Sequence, residues 1–125
     1  MTDQSSSQNP AEHASNSDTP DRSIIVDSWH VPDGSQDEFM AALVGVFERL
    51  RTFDGFLEGQ ILRGVDPSRF VSYATMRSAR ERDAAMIDPE LQAAARRIGG
   101  IVRPRPHAYT VAHTFTPAPS VRPGA

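Results

Sequence analysis

The hydrophobic residues of the chain fall into four short runs that are rich in β-branched and aromatic side chains, which favour extended structure. These runs are residues 23–31, 56–63, 69–77 and 107–115. Turn-forming residues follow the first and second runs, as Pro-Asp-Gly at 32–34 and Asp-Pro-Ser at 66–68. The pattern therefore predicts four β-strands.

Apolar residues between the first two strands recur with helical spacing. Phe39, Leu43, Val46, Phe47 and Leu50 lie at positions i, i+4, i+7, i+8 and i+11, which places them on one face of a helix. The spacing predicts an amphipathic helix that packs this face on the sheet.

The ends of this helix and two further helices are predicted from local signals. Ser35, with Glu38 three residues later, matches a capping box at the start, and Gly55 is expected to close the helix. A second helical stretch is predicted over residues 79–86. A proline in the first turn predicts a third helix over residues 89–98.

The resulting order, βα-ββ-αβ, is that of the ferredoxin-like split βαβ arrangement. It predicts an α+β fold, with a four-stranded antiparallel sheet and the helices on one face. The opposite face also carries apolar side chains, including Val26, Val71 and Tyr73. Since a solvated face would be polar, we expect a homodimer that buries this second face by sheet-to-sheet packing.

Length and composition indicate one domain, at residues 22–116, between disordered tails at 1–21 and 117–125 that are rich in polar residues or proline. No apolar run approaches the roughly 18 residues that span a bilayer. Residues 1–21 also lack the basic start and apolar stretch of a signal peptide. We therefore expect a cytoplasmic protein without a membrane partner.

Charge and composition exclude several kinds of chemistry. The net charge is −3 with scattered arginines, so no nucleic-acid partner is expected. The chain has no cysteine, which excludes disulfides and thiolate sites. His30, His107 and His113 lack the spacing of a metal site, and no glycine-rich dinucleotide loop is present. We expect neither a metal nor another cofactor.

Asp27 is the leading candidate for chemistry because a carboxylate in the middle of a β-branched strand needs water, a partner or a ligand. It is interpreted either as a pocket-lining general base or as an edge-exposed or arginine-paired side chain. Trp29 is interpreted as an aromatic wall of a pocket or as a core residue. Ser72 lies in phase with Phe70 and Met76 and is assigned to the helix-side cavity with Asp27.

The complete predicted site consists of two catalytic residues and six residues that contact an aromatic small-molecule substrate. The catalytic residues are Asp27 and Ser72, and the contact residues are Ile25, Trp29, Phe47, Phe70, Ala74 and Met76.

Several segments together resemble the antibiotic biosynthesis monooxygenase family. They are VPDGSQDEFMAAL, RTFDGFLEGQILRGVDPSRFVSYATMRS, DPELQAAARRI and PHAYTVAHTF. Gly-Phe before a strand, a short Asp-Pro turn and then Arg-Phe-Val is the most specific part. The resemblance implies a dimeric α+β barrel. The family includes cofactor-independent oxygenases of aromatic polyketide pathways, haem-degrading enzymes and relatives that act as cyclases or have no known activity.

The sequence departs from the family at positions that matter for activity. Family oxygenases often carry an Asn on the first strand, and an Asn and a Trp four residues apart on the third. Matched strand to strand, these positions fall on Asp27, Ser72 and Met76. The haem-degrading branch needs that Trp and a histidine on the following helix. Met76 and the histidine-free stretch 79–98 argue against haem degradation.

The resemblance and the candidate residues favour a cofactor-independent monooxygenase that acts on an aromatic polyketide intermediate in antibiotic or pigment biosynthesis. One alternative is a polyketide cyclase with Asp27 as general base, because proton abstraction also begins an aldol cyclisation. Another is a non-catalytic dimer that binds an intermediate of the same pathway.

Overall fold

Three strands and three helices form where the hydrophobic pattern predicts them, and a short fourth strand completes the sheet. The computed structural model describes residues 21–103 and 105–119, so most of both predicted disordered tails lies outside the described residues. The elements, in chain order, are β1 Ser23–His30, α1 Gln36–Leu50, β2 Phe56–Arg63, β3 Arg69–Met76, α2 Ala79–Met86, α3 Pro89–Gly99 and β4 His107–Tyr109. This order confirms the predicted α+β, ferredoxin-like arrangement.

The sheet has the strand order β2-β3-β1-β4 and is antiparallel throughout. The central pair β1–β3 is in register over eight residues, from Ser23 opposite Met76 to His30 opposite Arg69. The helices cover one face, where their apolar side chains and those of β1 and β3 form two buried clusters. The sheet remains open, with β2 and β4 at its edges.

The last strand is much shorter than its sequence predicts. Residues 107–115 were expected to be extended, but only His107–Tyr109 pairs with β1. Tyr109 pairs with Ile24, so the next residue would face Ser23, where β1 begins. The prediction was wrong beyond Tyr109 because a strand cannot continue without a partner, whatever its own alternation.

The ends of α1 also differ from their predicted form. Ser35 is the N-cap residue, but its side chain makes no capping hydrogen bond, so the capping box does not form. The helix ends at Leu50 rather than near Gly55. Arg51 is the C-cap residue, and the Thr52 hydroxyl also donates to the Arg49 carbonyl at 2.7 Å.

Gly55 serves a different purpose from the predicted one. A Cβ at this position would lie 2.6 Å from Cβ of Glu81 on α2, closer than two carbons can approach. Gly55 therefore lets the turn after α1 lie against α2, and its carbonyl accepts the Arg77 N–H at 2.7 Å.

The second face of the sheet is only partly covered. Val26, Val71 and Tyr73 are half-buried, while Leu62 and Tyr109 on the same face are 47% and 50% exposed. The Tyr73 hydroxyl donates to Glu58 at 3.0 Å. Among the described residues, no helix is both long and apolar enough to cross a membrane.

Candidate functional site

A cavity of about 140 Å³ lies between the sheet and the helices. The described residues that line it come from β1, β3, all three helices and the segment before β4. They are Ile25, Asp27, Trp29, Leu43, Val46, Phe47, Leu50, Ser72, Ala74, Met86, Leu91, Ala95, Ile98 and Pro106. Met86 and Pro106 are exposed, so the cavity reaches the protein surface beside them.

The strand register produces the floor of this cavity. Alternate residues of a strand point to the same face, and Asp27 lies directly opposite Ser72, as Ile25 lies opposite Ala74. Ser72 and Ala74 have small side chains, which leave space beneath the helices. Asp27 is the only ionisable group among the described lining residues, and most of the others are apolar.

Asp27 is buried, with 6% of its surface exposed. Its two carboxylate oxygens accept the backbone N–H of Arg105, at 3.3 Å and 3.2 Å. Burial raises the pKa of Asp27, and the Arg105 N–H, the Ser28 N–H and the nearby His107 only partly offset this. Within the described residues the carboxylate is therefore neither edge-exposed nor ion-paired with an arginine, and its environment makes it a better base than an ordinary aspartate.

Ser72 is equally buried, with 5% of its surface exposed. Its side chain lines the cavity opposite Asp27, and its hydroxyl makes no hydrogen bond to any other described residue. The Ser72 oxygen is not among the fully enclosed polar atoms that lack a partner, so it keeps accessible surface in the cavity and can bind a ligand.

Trp29 belongs to both the cavity wall and the core. Its ring meets Phe39 edge to face with centroids 5.1 Å apart, and Phe39 in turn packs on Phe70 at 4.9 Å. The indole Nε1 is enclosed and has no acceptor among the described residues. The interactions of the ring with the core hold it in place beside the cavity.

Six of the eight predicted site residues line the cavity, and two do not. Phe70 is buried in the aromatic cluster beneath Trp29, with the Arg63 guanidinium 5.1 Å from its ring. Met76 is fully buried in the cluster formed with Leu50 and Leu91. Both side chains point to the predicted face of the sheet. They lie near the ends of β3, where close packing leaves no room for a cavity.

Several other lining residues have no direct signal in the sequence. Leu91, Ala95 and Ile98 recur on one face of α3, so helical spacing predicts burial but not a cavity. The Arg105 contact to Asp27 comes from a backbone amide and joins positions far apart in the chain. A contact of that kind leaves no pattern in residue types.

The three histidines that lack the spacing of a metal site each contact a different neighbour. Among residues 21–103 and 105–119, no three His, Cys, Asp or Glu side chains are placed to hold a metal ion. His30 lies with Nε2 3.3 Å from the Ser68 hydroxyl. His107 and His113 contact the rings of Tyr109 and Phe115 instead.

Comparison with solved structures identifies proteins that share this fold. The cofactor-independent oxygenase SnoaB of Streptomyces nogalater superposes with a TM-score of 0.70 at 19% identity, over 76% of this chain and 97% of SnoaB. A provisionally named antibiotic biosynthesis monooxygenase of Nitrosomonas europaea gives 0.64 at 16% identity, over 73% of this chain and 99% of its own. A counterpart from Deinococcus radiodurans gives 0.68 at 13% identity, over 78% and 99%.

The chain therefore has the fold of the antibiotic biosynthesis monooxygenases, as its resemblance to that family predicted. No family model and no curated protein matches the sequence. At these identities the likeness establishes the fold, and the activity has to be argued from the cavity.

Proposed function

We propose that this chain is a cofactor-independent monooxygenase that acts on an aromatic polyketide intermediate in antibiotic or pigment biosynthesis, with the cavity as its active site. The observation that carries the proposal is the buried Asp27 carboxylate, with its raised pKa, in an otherwise apolar wall. A buried carboxylate without a cationic partner is costly for stability, and groups of this kind concentrate at functional sites.

The proposed reaction begins when Asp27 takes a proton from an acidic carbon of the substrate. The resulting carbanion gives an electron to O₂, and the two radicals combine to form a peroxide anion on that carbon. The anion takes the proton back from Asp27 to become a hydroperoxide. Loss of water then leaves a carbonyl group, so that one CH₂ and one O₂ become one C=O and one H₂O. The apolar wall supports this course because it excludes water that would return a proton to the carbanion.

The apolar residues of the cavity are proposed to orient a flat substrate. Trp29 and Phe47 offer aromatic surface, while Ile25 and Ala74 provide apolar contact on the floor. Phe70 and Met76 support this wall from the core rather than by touching the substrate.

A polyketide cyclase is the second candidate, and the identity of Asp27 favours it. An ionised carboxylate repels a developing enolate oxygen, whereas the amide usual in the similar oxygenases can donate to it. Abstraction of a proton from carbon is therefore the natural task of Asp27, and an aldol cyclisation begins with the same step.

We also propose that the protein forms a homodimer through the second face of the sheet. The apolar residues Val26, Val71 and Leu62 are partly or largely exposed there in the single chain. A second copy would remove this surface from water, and a twofold interface needs only one self-complementary face.

The function is tested by recording O₂ uptake and product together, with an uncyclised polyketide precursor, whose acidic carbon adjoins a ketone, and in parallel with an anthrone, whose acidic carbon lies across the ring from its carbonyl. Asp27→Asn keeps the shape of the side chain and is expected to lower turnover by roughly 10²–10⁴-fold. Asp54→Asn, at an exposed position, is the matched control and is expected to leave turnover unchanged.

The outcomes of this experiment separate the candidate functions. Oxygen consumed in proportion to product supports the monooxygenase, and product without oxygen supports the cyclase. Ligand binding without turnover in either protein would show a binding protein. Full turnover in Asp27→Asn would remove Asp27 as the base.

A further inference from the structure

We infer that the substrate carries its acidic C–H directly beside a ketone carbonyl, and that the Ser72 hydroxyl donates a hydrogen bond to that oxygen while Asp27 takes the proton. This inference rests on the proposed role of Asp27 as the base. It adds a class of substrate, an enolisable ketone, and an oxyanion-stabilising role for Ser72.

The first support is the position of the two groups relative to each other. Asp27 and Ser72 are directly opposed on neighbouring antiparallel strands and both line the cavity. Opposed residues have Cβ atoms about 4.5–5.5 Å apart, so the two side chains reach adjacent atoms of one ligand. A carbonyl oxygen and the hydrogen on the next carbon have this close relationship. A carbonyl that is conjugated with the acidic carbon across a ring does not.

The second support is the unused hydroxyl of Ser72. The other two buried serines of the described residues have partners, since Ser23 accepts from the Arg82 guanidinium at 2.7 Å and Ser68 donates to Asp66 at 2.8 Å. The Ser72 hydroxyl has none among the described residues.

The choice of donor follows from the remaining polar groups on the wall. Negative charge that develops on the substrate oxygen requires a donor, and the proton that Asp27 has taken faces the carbon to which it returns. The indole N–H of Trp29 is enclosed by its neighbours. Ser72 is therefore the side chain on the described wall that can donate to this oxygen.

The volume of the cavity limits the part of the substrate that enters it. The cavity measures about 140 Å³, and an apolar cavity of about 150 Å³ holds benzene. One ring with its carbonyl is thus expected inside, and any further rings extend through the mouth beside Met86 and Pro106.

The proton transfer can be observed without oxygen. The C–H bond breaks, its proton moves to the Asp27 carboxylate, and its electron pair forms the enolate, whose oxygen accepts from Ser72. In D₂O the acid exchanges its proton for a deuteron and returns it to the same carbon. Deuterium in the recovered ketone therefore marks the carbon that faces Asp27.

The probe is 3-methylcyclohex-2-enone, which has one ring and two kinds of acidic methylene. One methylene is next to the carbonyl, and the other is conjugated with it through the double bond. The full chain is incubated with the probe in D₂O under argon, and deuterium is located by NMR. We expect enrichment at the methylene next to the carbonyl, and no acceleration in Asp27→Asn.

Ser72 is tested by three variants with the same probe. Ser72→Ala is expected to slow exchange by about 10²-fold, the effect of losing one oxyanion donor, with probe affinity changed less than about threefold, because a neutral hydrogen bond in the ground state contributes little. Ser72→Thr retains a hydroxyl and should recover most of the rate. Ser35→Ala, whose hydroxyl makes no capping hydrogen bond and lies outside the cavity lining, is the control.

Faster exchange at the conjugated methylene, an absence of catalysed exchange, or an unchanged rate in Ser72→Ala would overturn the inference. If Ser72→Ala does not fold, the labelled position in the native protein still decides the matter. Labelling next to the carbonyl without O₂ uptake on any substrate would reject the oxygenase and keep the inference. Oxygen uptake on an anthrone together with labelling at the conjugated methylene would keep the oxygenase and reject the inference.

Discussion

Arg49 on α1 and Asp88 at the start of α3 are joined by two hydrogen bonds, 3.0 Å from Nε to Oδ2 and 2.9 Å from Nη2 to Oδ1. Oδ2 of Asp88 also accepts the Leu91 N–H at 2.8 Å and caps α3. The pair thus fixes α1 and α3, two of the three helices that line the cavity, relative to each other.

The Arg49 guanidinium and the Leu91 N–H lower the pKa of Asp88 to about 2. An acid whose pKa is lower in the folded state contributes stability above its unfolded pKa and loses it as the pH falls toward its folded pKa. We expect Asp88→Asn to lower the urea midpoint at pH 7, and this difference to disappear between about pH 4 and pH 2. A difference between Asp88→Asn and the native protein that stays constant down to pH 2 would contradict the assignment.

Asp27 has the opposite dependence, because burial raises its pKa in the folded protein. Its protonated form is favoured by folding, so the native protein loses stability relative to Asp27→Asn as the pH rises above about 4, the unfolded value. We expect Asp27→Asn to be at least as stable as the native protein at pH 7, with the advantage vanishing at acid pH. Denaturant titrations of both proteins at several pH values measure this difference. A variant that is less stable at pH 7 would show that the carboxylate is compensated in the fold.

Gly59 on β2 is expected to be necessary for the shape of the cavity. A Cβ there would lie 2.6 Å from Cε2 of Phe47, a lining residue, so Gly59→Ala must displace the ring. We expect a loss of about 1–3 kcal/mol of stability, as for other overpacked cores, and weaker binding of 3-methylcyclohex-2-enone. Gly45→Ala, in α1 with no atom within 4 Å of the added Cβ, should instead stabilise the protein by about 0.5–1 kcal/mol. Equal effects of the two changes would contradict this account.

Dimer formation is expected to depend on the second face of the sheet. Val71→Arg places a charge on that face, opposite Leu62 of β2, and should shift the protein from dimer to monomer in sedimentation at micromolar concentration, since an interface core does not accommodate an unpaired charge. Val44→Arg, on the exposed side of α1, is the control. A native protein that sediments as a monomer would refute the proposed dimer.

The sequence predicts the elements built from local patterns and misses those that depend on distant partners. Period-two alternation in β1 and β3 was sufficient to place Asp27 and Ser72 on one face, and register then set them opposite each other. The end of β4 depends on where β1 begins, and the cap at Ser35 depends on backbone angles. Neither is encoded in the residues at those positions.

The sequence predicts the strand residues of the cavity better than its helical wall, because the wall also depends on distant partners. Strand alternation predicts which face of the sheet Phe70 and Met76 point to. Whether a side chain on that face lines the cavity or is packed in the core depends on the helices above it. The cavity wall formed by α3 depends on the position of that helix over the sheet. The ion pair between Arg49 and Asp88 helps to hold α3 in this position.

The bond that the Arg105 backbone amide donates to Asp27 has an evolutionary consequence. Because the donor is the main chain, the side chain at this position can drift among nineteen of the twenty amino acids without losing the contact, and proline alone abolishes it. Descendants of this chain can therefore diverge freely in this segment while inheriting the same tuning of their buried acid. Alignments of such descendants would show variable residues at this position, although the hydrogen bond to the buried acid is the same in all of them.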